Sequence, residues 1–208
     1  MATKIIETNI VSLSGVAVTP FKLSHELFGE HFYITYICSE RTSGAADIIP
    51  VMVSDRATDV SADIVGKWIE IEGSYRSYNY TSEGSKHVIL TVFANELFRL
   101  ESGTFENKNE IYLDGFVCKK PVYRTTPLGR EITDIIVAVN RSYNRCDYIP
   151  CIAWGRNARF AEKLEIGSQV KIEGRIQSRE YEKCIEGSEE PEIRTVYEVS
   201  ANKIERVC

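Results

Sequence analysis

Aromatic and basic side chains alternate along the second half of this chain. The aromatic ones are Tyr143, Tyr148, Trp154 and Tyr181. The basic ones around them are Lys119, Arg124, Arg141, Arg156, Arg175 and Arg179. Flat rings stack on nucleobases and cations pair with phosphates, and each stacked base is worth roughly 1–3 kcal/mol. The mixture is typical of a surface that binds single-stranded nucleic acid without a sequence preference.

Two of these rings lie on one predicted strand, whose alternation sets their direction. Ile149, Cys151 and Ala153 form a small apolar set suited to a protein interior. The opposite, outward set is Tyr148, Pro150, Ile152 and Trp154. Because large outward rings are not explained by the stability of a fold alone, we expect them to contact a ligand.

An internal repeat provides a comparison for this strand. The segment Asp47–Val51 (DIIPV) returns as Asp147–Cys151 (DYIPC). Further matched pairs are Asn9 and Asn109, Leu13 and Leu113, Gly15 and Gly115, and Gly73 and Gly174. Solenoid repeats have periods of roughly 20–50 residues, so this longer period predicts a duplicated domain. We place the first domain at residues 1–102 and the second at 107–208, with the polar linker Glu101–Lys108 between them.

The first copy differs from the second on the outward side of that strand. Ile49, Val51 and Val53 keep the apolar inward set. The outward set is Ile48, Pro50, Met52 and Ser54, which contains no aromatic residue. What both copies keep is expected to serve the fold, and the rings that one copy lacks are expected to serve a ligand.

The pattern of elements predicts the same architecture for each copy: three strands, one helix and two strands. The helices are predicted at Asp55–Ile64 and Asn157–Leu164, with Asn157 as N-cap and Gly167 as the stop signal of the second. Five strands with a helix between the third and fourth fit an OB-fold, a small Greek-key barrel. The predicted fold class is therefore all-β, with two tandem OB-fold barrels. Spacing alone leaves other small barrels open.

Composition narrows the function classes. The chain is 43% hydrophobic and 26% charged, as in folded globular proteins, and no apolar run reaches the roughly 18 residues that span a membrane. With no secretory signal, a cytoplasmic location is expected. The six cysteines form no C-x-x-C pair and the three histidines all lie in the first copy, so we expect no metal, cofactor or disulfide.

Charge is distributed unevenly along the chain. The net charge is −5, yet residues 119–183 contain 13 Lys and Arg against 8 Asp and Glu. Local charge decides where a polyanion docks, so the second copy is the expected binding domain. No G-x-S-x-G, Walker or H-E-x-x-H motif occurs, and we expect no catalysis.

The residues from Asn109 to Val207 resemble the core of the bacterial single-stranded DNA-binding protein family. The segments that carry the resemblance are 109–115 (NEIYLDG), 123–129 (YRTTPLG), 138–141 (AVNR), 147–156 (DYIPCIAWGR) and 167–179. The resemblance implies base stacking at Tyr143, Tyr148, Trp154 and Tyr181. Tyr80 is the one stacking position that clearly survives in the first copy.

Family members also differ in how they assemble, and the resemblance therefore implies partners. Most members have one OB domain and form tetramers, whereas a minority have two and form dimers with four domains. This chain resembles the minority, which implies a homodimer on single-stranded DNA, associated with the nucleoid. Typical members end in an acidic tail that recruits repair and replication enzymes. No such tail follows Val207 and Cys208, which puts that recruitment in doubt.

Alternative interpretations stay open at this point. Tyr148 and Trp154 could fill a subunit interface, Tyr181 could anchor a loop, and Tyr143 could close a hairpin. The acidic insertion at Glu186–Glu192 is either a solvated loop or a competitor of DNA for the basic face. The whole chain could also be an assembly module without DNA affinity, as a primosome accessory factor would be; an OB-fold nuclease is a more distant alternative.

Overall fold

Each half of the chain folds into six strands. The computed structural model describes residues 8–82, 85–101, 105–142, 145–183 and 192–207, without the side chains of 79–82, 85–87, 182–183 and 192. The first half contains β1 (Asn9–Ala17), β2 (Lys22–Leu27), β3 (Glu30–Glu40), β4 (Ala46–Ser54), β5 (Trp68–Ser82) and β6 (Ser85–Leu100). The second contains β7 (Asn109–Val117), β8 (Val122–Thr125), β9 (Glu131–Arg141), β10 (Arg145–Trp154), helix α1 (Arg156–Ala161), β11 (Gln169–Lys183) and β12 (Glu192–Arg206).

The long strands of each half close into a barrel. In the first, β1 pairs with β3 and β5, β3 with β4, and β5 with β6, and a short parallel pairing of β4 with β6 completes the ring. The second half repeats this order from β7 to β12. Alternating apolar residues fill both interiors, and Ile49, Val51 and Val53 are completely buried. The predicted tandem OB-fold class is confirmed.

Matched glycines explain part of the sequence repeat. Gly73 and Gly174 lie at equivalent bulges in β5 and β11. A Cβ atom there would come within 2.2 Å of the Phe93 carbonyl oxygen in the first barrel and 2.3 Å of the Ser200 carbonyl oxygen in the second. Because neither neighbour is a movable side chain end, each barrel requires glycine at this bulge.

The two barrels share one continuous sheet, because their first strands pair. In the antiparallel β1–β7 pair, Asn9 faces Leu113, Leu13 faces Asn109, and Val11 faces Ile111 at the centre. Asn9 faces Leu113, and the equivalent residue Asn109 faces Leu13, the equivalent of Leu113. This reciprocal pairing is the pattern of a twofold axis. The duplicated chain thus builds a pseudo-symmetric pair of barrels within one polypeptide.

Two buried carboxylates reinforce the contact between the two barrels, which we call the joint. Asp47 and Asp147, at the start of the repeated DIIPV and DYIPC segments, are 0% and 2% exposed. Asp47 Oδ1 accepts a hydrogen bond from the Ser178 backbone N–H at 2.9 Å, in the other barrel. Asp147 Oδ1 accepts from the backbone N–H and the hydroxyl of Ser77, both at 3.0 Å. A buried carboxylate needs such partners, so these residues recur in both copies for structural reasons.

One predicted helix is wrong, and each copy has a short strand beside the five strands of its barrel. Residues 55–67 form turns and no helix, so the helix predicted at Asp55–Ile64 is absent. Asp59 Oδ1 accepts hydrogen bonds from the Ser61 N–H and hydroxyl, and Asp63 Oδ1 accepts from the Val65 N–H. Such local bonds compete with helix formation. Each copy also has one more strand than the five predicted, the short β2 or β8.

The helix of the second barrel exists with different limits. It begins at Arg156 rather than Asn157, and Gly155, with φ of 53°, is its N-cap. The Asn157 side chain instead donates to the Asn202 carbonyl oxygen at 2.8 Å. The helix ends at Ala161, and Gly167, with φ of 89°, ends the turns that follow rather than the helix itself. Within the described ranges, no helix is long and apolar enough to span a membrane.

Candidate nucleic-acid interface

Three predicted rings lie on the outside of the second barrel. Tyr148 and Trp154 on β10 are 57% and 38% exposed, and Tyr181 on β11 is 37% exposed. The intervening residues Ile149 and Ala153 are completely buried, as the alternation requires. Trp154 lies six residues after Tyr148 on the same strand, or about 20 Å away, so one base cannot contact both rings. The rings are therefore spaced along a path rather than grouped in a pocket.

One outward residue of β10 departs from the expectation. Ile152 is only 4% exposed although it lies on the same side as Tyr148 and Trp154. It belongs to an apolar strip between the two rings, next to Ser200 on the parallel strand β12. On the outward side of β10, the exposed rings of Tyr148 and Trp154 are thus separated by a partly exposed Pro150 and a buried Ile152.

The basic side chains form two groups that differ in exposure. Lys119, Arg124, Arg156 and Arg179 are exposed. Arg124 Nε donates to Asp134 Oδ2 at 2.9 Å, and this hydrogen bond raises the pKa of the Arg124 guanidinium. Arg179 Nε lies 3.6 Å from Glu198 Oε1. Arg124 and Asp134 are both half-exposed, and such an ion pair is worth little, so Arg124 can exchange its carboxylate for a phosphate. The partner of Arg179 is a buried carboxylate, so Arg179 keeps Glu198 and offers its other N–H groups to a phosphate.

Arg141 and Arg175 lie at the junction of the barrels instead. Arg175 Nη1 is 3.1 Å from Asp47 Oδ2, and Arg141 Nη1 is 3.6 Å from Asp147 Oδ1. Their side chains are 27% and 28% exposed, and burial lowers the pKa of Arg175, an effect to which nearby Arg41 adds. Removing a partner from a buried carboxylate is costly, so both arginines are held by their aspartates, Arg175 across the two barrels and Arg141 within the second.

A buried acid, Glu198, lies among these basic side chains and was not predicted from the sequence. Glu198 on β12 is 8% exposed and lies opposite Gln177 on β11, which is 7% exposed. Gln177 Nε2 donates to Glu198 Oε1 at 2.7 Å. Strand alternation offered the signal, since Val199 fills the core and its neighbours Glu198 and Ser200 must face the other way.

The outward face of the first barrel is already filled by its own rings. His25 on β2 stacks between Phe32 on β3 and Tyr78 on β5, with centroid distances of 4.9 Å and 4.6 Å. Phe32 contacts Phe93 on β6, and the Arg76 guanidinium lies 3.9 Å from the centre of the Phe93 ring. The strand β4 has no outward aromatic residue, as expected. The stacked rings come instead from β2, β3, β5 and β6, and only the tertiary structure brings them together.

Three predictions fall on residues that the structure does not describe. Tyr143 and the side chain of Tyr80 lie outside the described residues. So does the acidic insertion Glu186–Glu192, apart from the backbone of its last residue.

Comparison with known proteins agrees with this architecture. Residues 108–207 match the single-strand binding protein family. Single-stranded DNA-binding protein 1 of Staphylococcus aureus is 37% identical over 81 residues, 36% of this chain and 48% of that protein. Single-stranded DNA-binding protein A of Bacillus subtilis is 36% identical over 81 residues, 36% of this chain and 47% of the relative. The chain thus spans about half the length of the curated relatives that it matches.

A solved structure matches both barrels. The wild-type single-stranded DNA binding protein from Thermus aquaticus superposes with a TM-score of 0.74 at 22% identity, covering 96% of this chain and 93% of that one. At this identity the similarity establishes the shared tandem fold. The match to the single-strand binding protein family lies in the second barrel, which residues 108–207 form.

Proposed function

We propose that this protein binds single-stranded DNA without sequence preference, mainly through the outward face of its second barrel. The observation that carries the proposal is the exposure of Tyr148 and Trp154 on a strand whose other side fills the core. Exposed rings together with exposed cations suit unpaired bases and their phosphates. The names of the matched relatives support the same ligand. Protection of single strands during replication, recombination or repair follows as the cellular role, with binding rather than catalysis as the activity.

Four cations form the phosphate-contacting set in this proposal: Lys119, Arg124, Arg156 and Arg179. Arg175, which the sequence also suggested, pairs instead with Asp47 of the first barrel, and Arg141 pairs with Asp147 of its own barrel. Tyr181 extends the ring path beyond β10, and Tyr143 is retained as a further stacking residue on the resemblance alone. Four phosphate contacts on a single strand correspond to a salt dependence with a log–log slope of about −3.

The first barrel contributes little affinity in this proposal. His25 is stacked between Phe32 and Tyr78, so a base must displace His25 before it can stack on the covered side of either ring. The main role of the first barrel is to dock against the second barrel. We also propose that two chains associate, which presents four barrels to DNA, and that the protein acts in the cytoplasm on the nucleoid. Sedimentation should then give about twice the chain mass of 23.6 kDa.

The decisive test is the double variant Tyr148→Ala with Trp154→Ala. Poly-dT affinity should fall at least about tenfold, because two stacking surfaces are lost. Phe98→Ala is the matched control, since it removes a half-exposed ring from the opposite barrel. Both proteins should melt near the wild-type temperature. Unchanged affinity in the double variant would exclude stacking on β10.

A second candidate is an assembly module with little DNA affinity, and the self-stacked face of the first barrel favours it. Tryptophan fluorescence separates the two candidates. The chain has two tryptophans, and Trp68→Phe leaves Trp154 as the sole reporter. Quenching by poly-dT in this variant is expected from a DNA-binding protein, whereas an assembly module should give no signal change.

A further inference from the structure

A chain of polar contacts runs from the first barrel to the proposed DNA face of the second. Arg175 Nη1 contacts Asp47 of the first barrel at 3.1 Å, and Arg175 Nη2 donates to Gln177 Oε1, also at 3.1 Å. Gln177 Nε2 donates to Glu198 Oε1 at 2.7 Å. The same Glu198 oxygen lies 3.6 Å from Arg179 Nε, whose side chain is 51% exposed. We call Asp47, Arg175, Gln177, Glu198 and Arg179 the relay.

The chemistry of the side chains fixes which groups of the relay donate hydrogen bonds and which accept them. A guanidinium can only donate hydrogen bonds, so Gln177 must turn its carbonyl oxygen to Arg175 and its amide nitrogen to Glu198. Gln177 and Glu198 are both more than nine-tenths buried, where an unmade hydrogen bond is costly. Docking of the first barrel therefore fixes Arg175, which fixes the Gln177 amide and, through it, the Glu198 carboxylate beside Arg179.

Comparison of the copies separates the relay from the joint itself. The joint is present twice, as Asp47 with Ser178 and as Asp147 with Ser77. The relay is present once. The strand registers place Ser74, Arg76, Thr91 and Tyr78 of the first barrel at the positions of Arg175, Gln177, Glu198 and Arg179. A device needed only to hold the barrels together would be expected in both copies.

We propose that Gln177 is a positioning residue of the DNA site, which holds Arg179 in place through Glu198, and that Asp47 makes the first barrel part of this site. The inference rests on the proposed function. It concerns how the site is organised, because neither Gln177 nor Asp47 is exposed enough to contact DNA.

A double-mutant cycle with Gln177→Met and Arg179→Gln tests the relay. Gln177→Met keeps the side-chain length and removes both hydrogen bonds. We expect it to weaken poly-dT binding about fivefold, a usual size for couplings of this kind, and to reduce the salt slope by up to about 0.7. In the Arg179→Gln background it should change affinity less than about twofold. An equal loss in both backgrounds, or none in either, would overturn the proposal.

The contribution of the first barrel has its own control. Asp47→Asn should weaken poly-dT binding in the wild-type background and not in the Arg179→Gln background. Asp147→Asn removes the equivalent carboxylate from the other side of the joint and leaves the relay intact, so affinity should stay within about twofold of wild type. Equal effects of the two substitutions would mean that Asp47 serves only the joint.

Failure of the relay is distinguishable from failure of the proposed function. If wild-type protein does not bind poly-dT, the DNA-binding proposal fails and the relay with it. If wild type binds and the cycle is additive, DNA binding stands and the relay alone is wrong. Melting temperatures of each variant show whether any loss of affinity reflects unfolding.

Discussion

An arginine's partner, rather than its place in a basic segment, decides what it can bind. Arg156 follows Trp154 at the start of α1 and is exposed, and no ion pair holds it among the described residues. Arg175 is of the same residue type, yet it lies against the fully buried Asp47 carboxylate. Releasing Arg175 to a phosphate would remove one of the two cations of that buried carboxylate, the other being Arg41, whereas Arg156 gains a partner without losing one.

The two arginines should therefore respond differently to substitution by glutamine. Arg156→Gln should reduce the salt slope of poly-dT binding by about 0.7, because one phosphate contact is lost, and leave stability unchanged. Arg175→Gln should lower the melting temperature, because it leaves Asp47 with less compensation. Titrations at several salt concentrations and thermal melts of both variants provide the measurement. An unaltered slope in Arg156→Gln would remove this residue from the phosphate-contacting set.

At the scale of elements, equivalent short strands carry different side chains onto the two barrel faces. β2 brings His25 against Phe32 in the first barrel, and β8 brings Arg124 against Asp134 in the second. Both strands pair antiparallel with the next strand, although β2 has a register shift between Leu23 and His25 that β8 lacks. One strand thus covers its face with a stacked ring, and the other offers an exposed cation beside the rings of β10.

The covered face predicts a pH dependence. Burial lowers the pKa of His25 below its ordinary value of 6.5, so the folded first barrel favours the neutral ring. The unfolded chain takes up the proton first as pH falls, and His25 therefore contributes stability that is present above pH 6.5 and lost below it. His25→Phe keeps a ring in the stack and cannot titrate. The melting temperature of His25→Phe minus that of wild type should therefore increase as the pH is lowered from about 8 to about 5.5.

Melting curves that shift in parallel for wild type and His25→Phe would contradict this assignment.

At the scale of the whole molecule, the β1–β7 pairing makes one chain equivalent to a dimer of barrels. The pairing is centred on Val11 and Ile111, so each first strand presents nearly the same edge to the other. An exposed strand edge is a template for another strand. The joint therefore covers two edges that separate barrels would leave open.

Separating the barrels should expose this edge and force a new pairing. Fragment 105–208 is expected to self-associate through β7, with Ile111 opposite Ile111, because a second copy can replace β1 in the same register. Sedimentation should show at least a dimer of the fragment and reduced poly-dT affinity, since the fragment lacks Asp47. A folded monomer with full affinity would show that neither the edge nor the relay depends on the first barrel.

The sequence by itself determined the duplication, the tandem OB-fold and the direction of the β10 side chains. Strand alternation and a repeated core are local patterns, so Ile149, Cys151 and Ala153 had to face inward and Tyr148 and Trp154 outward. Competition between side-chain hydrogen bonds and helix formation was harder to foresee. The Asp59 and Asp63 side chains bond to nearby backbone N–H groups, and turns form where a helix was predicted.

Only the tertiary structure decided which side chains meet across strands. The ring stack of the first barrel joins residues from β2, β3, β5 and β6, and the Asp47–Arg175 pair joins residues 128 positions apart. Such contacts cannot be predicted from residue type and spacing, because their distances are set by the closure of each barrel and by the docking of the two barrels. The separation of exposed from buried arginines follows from that closure.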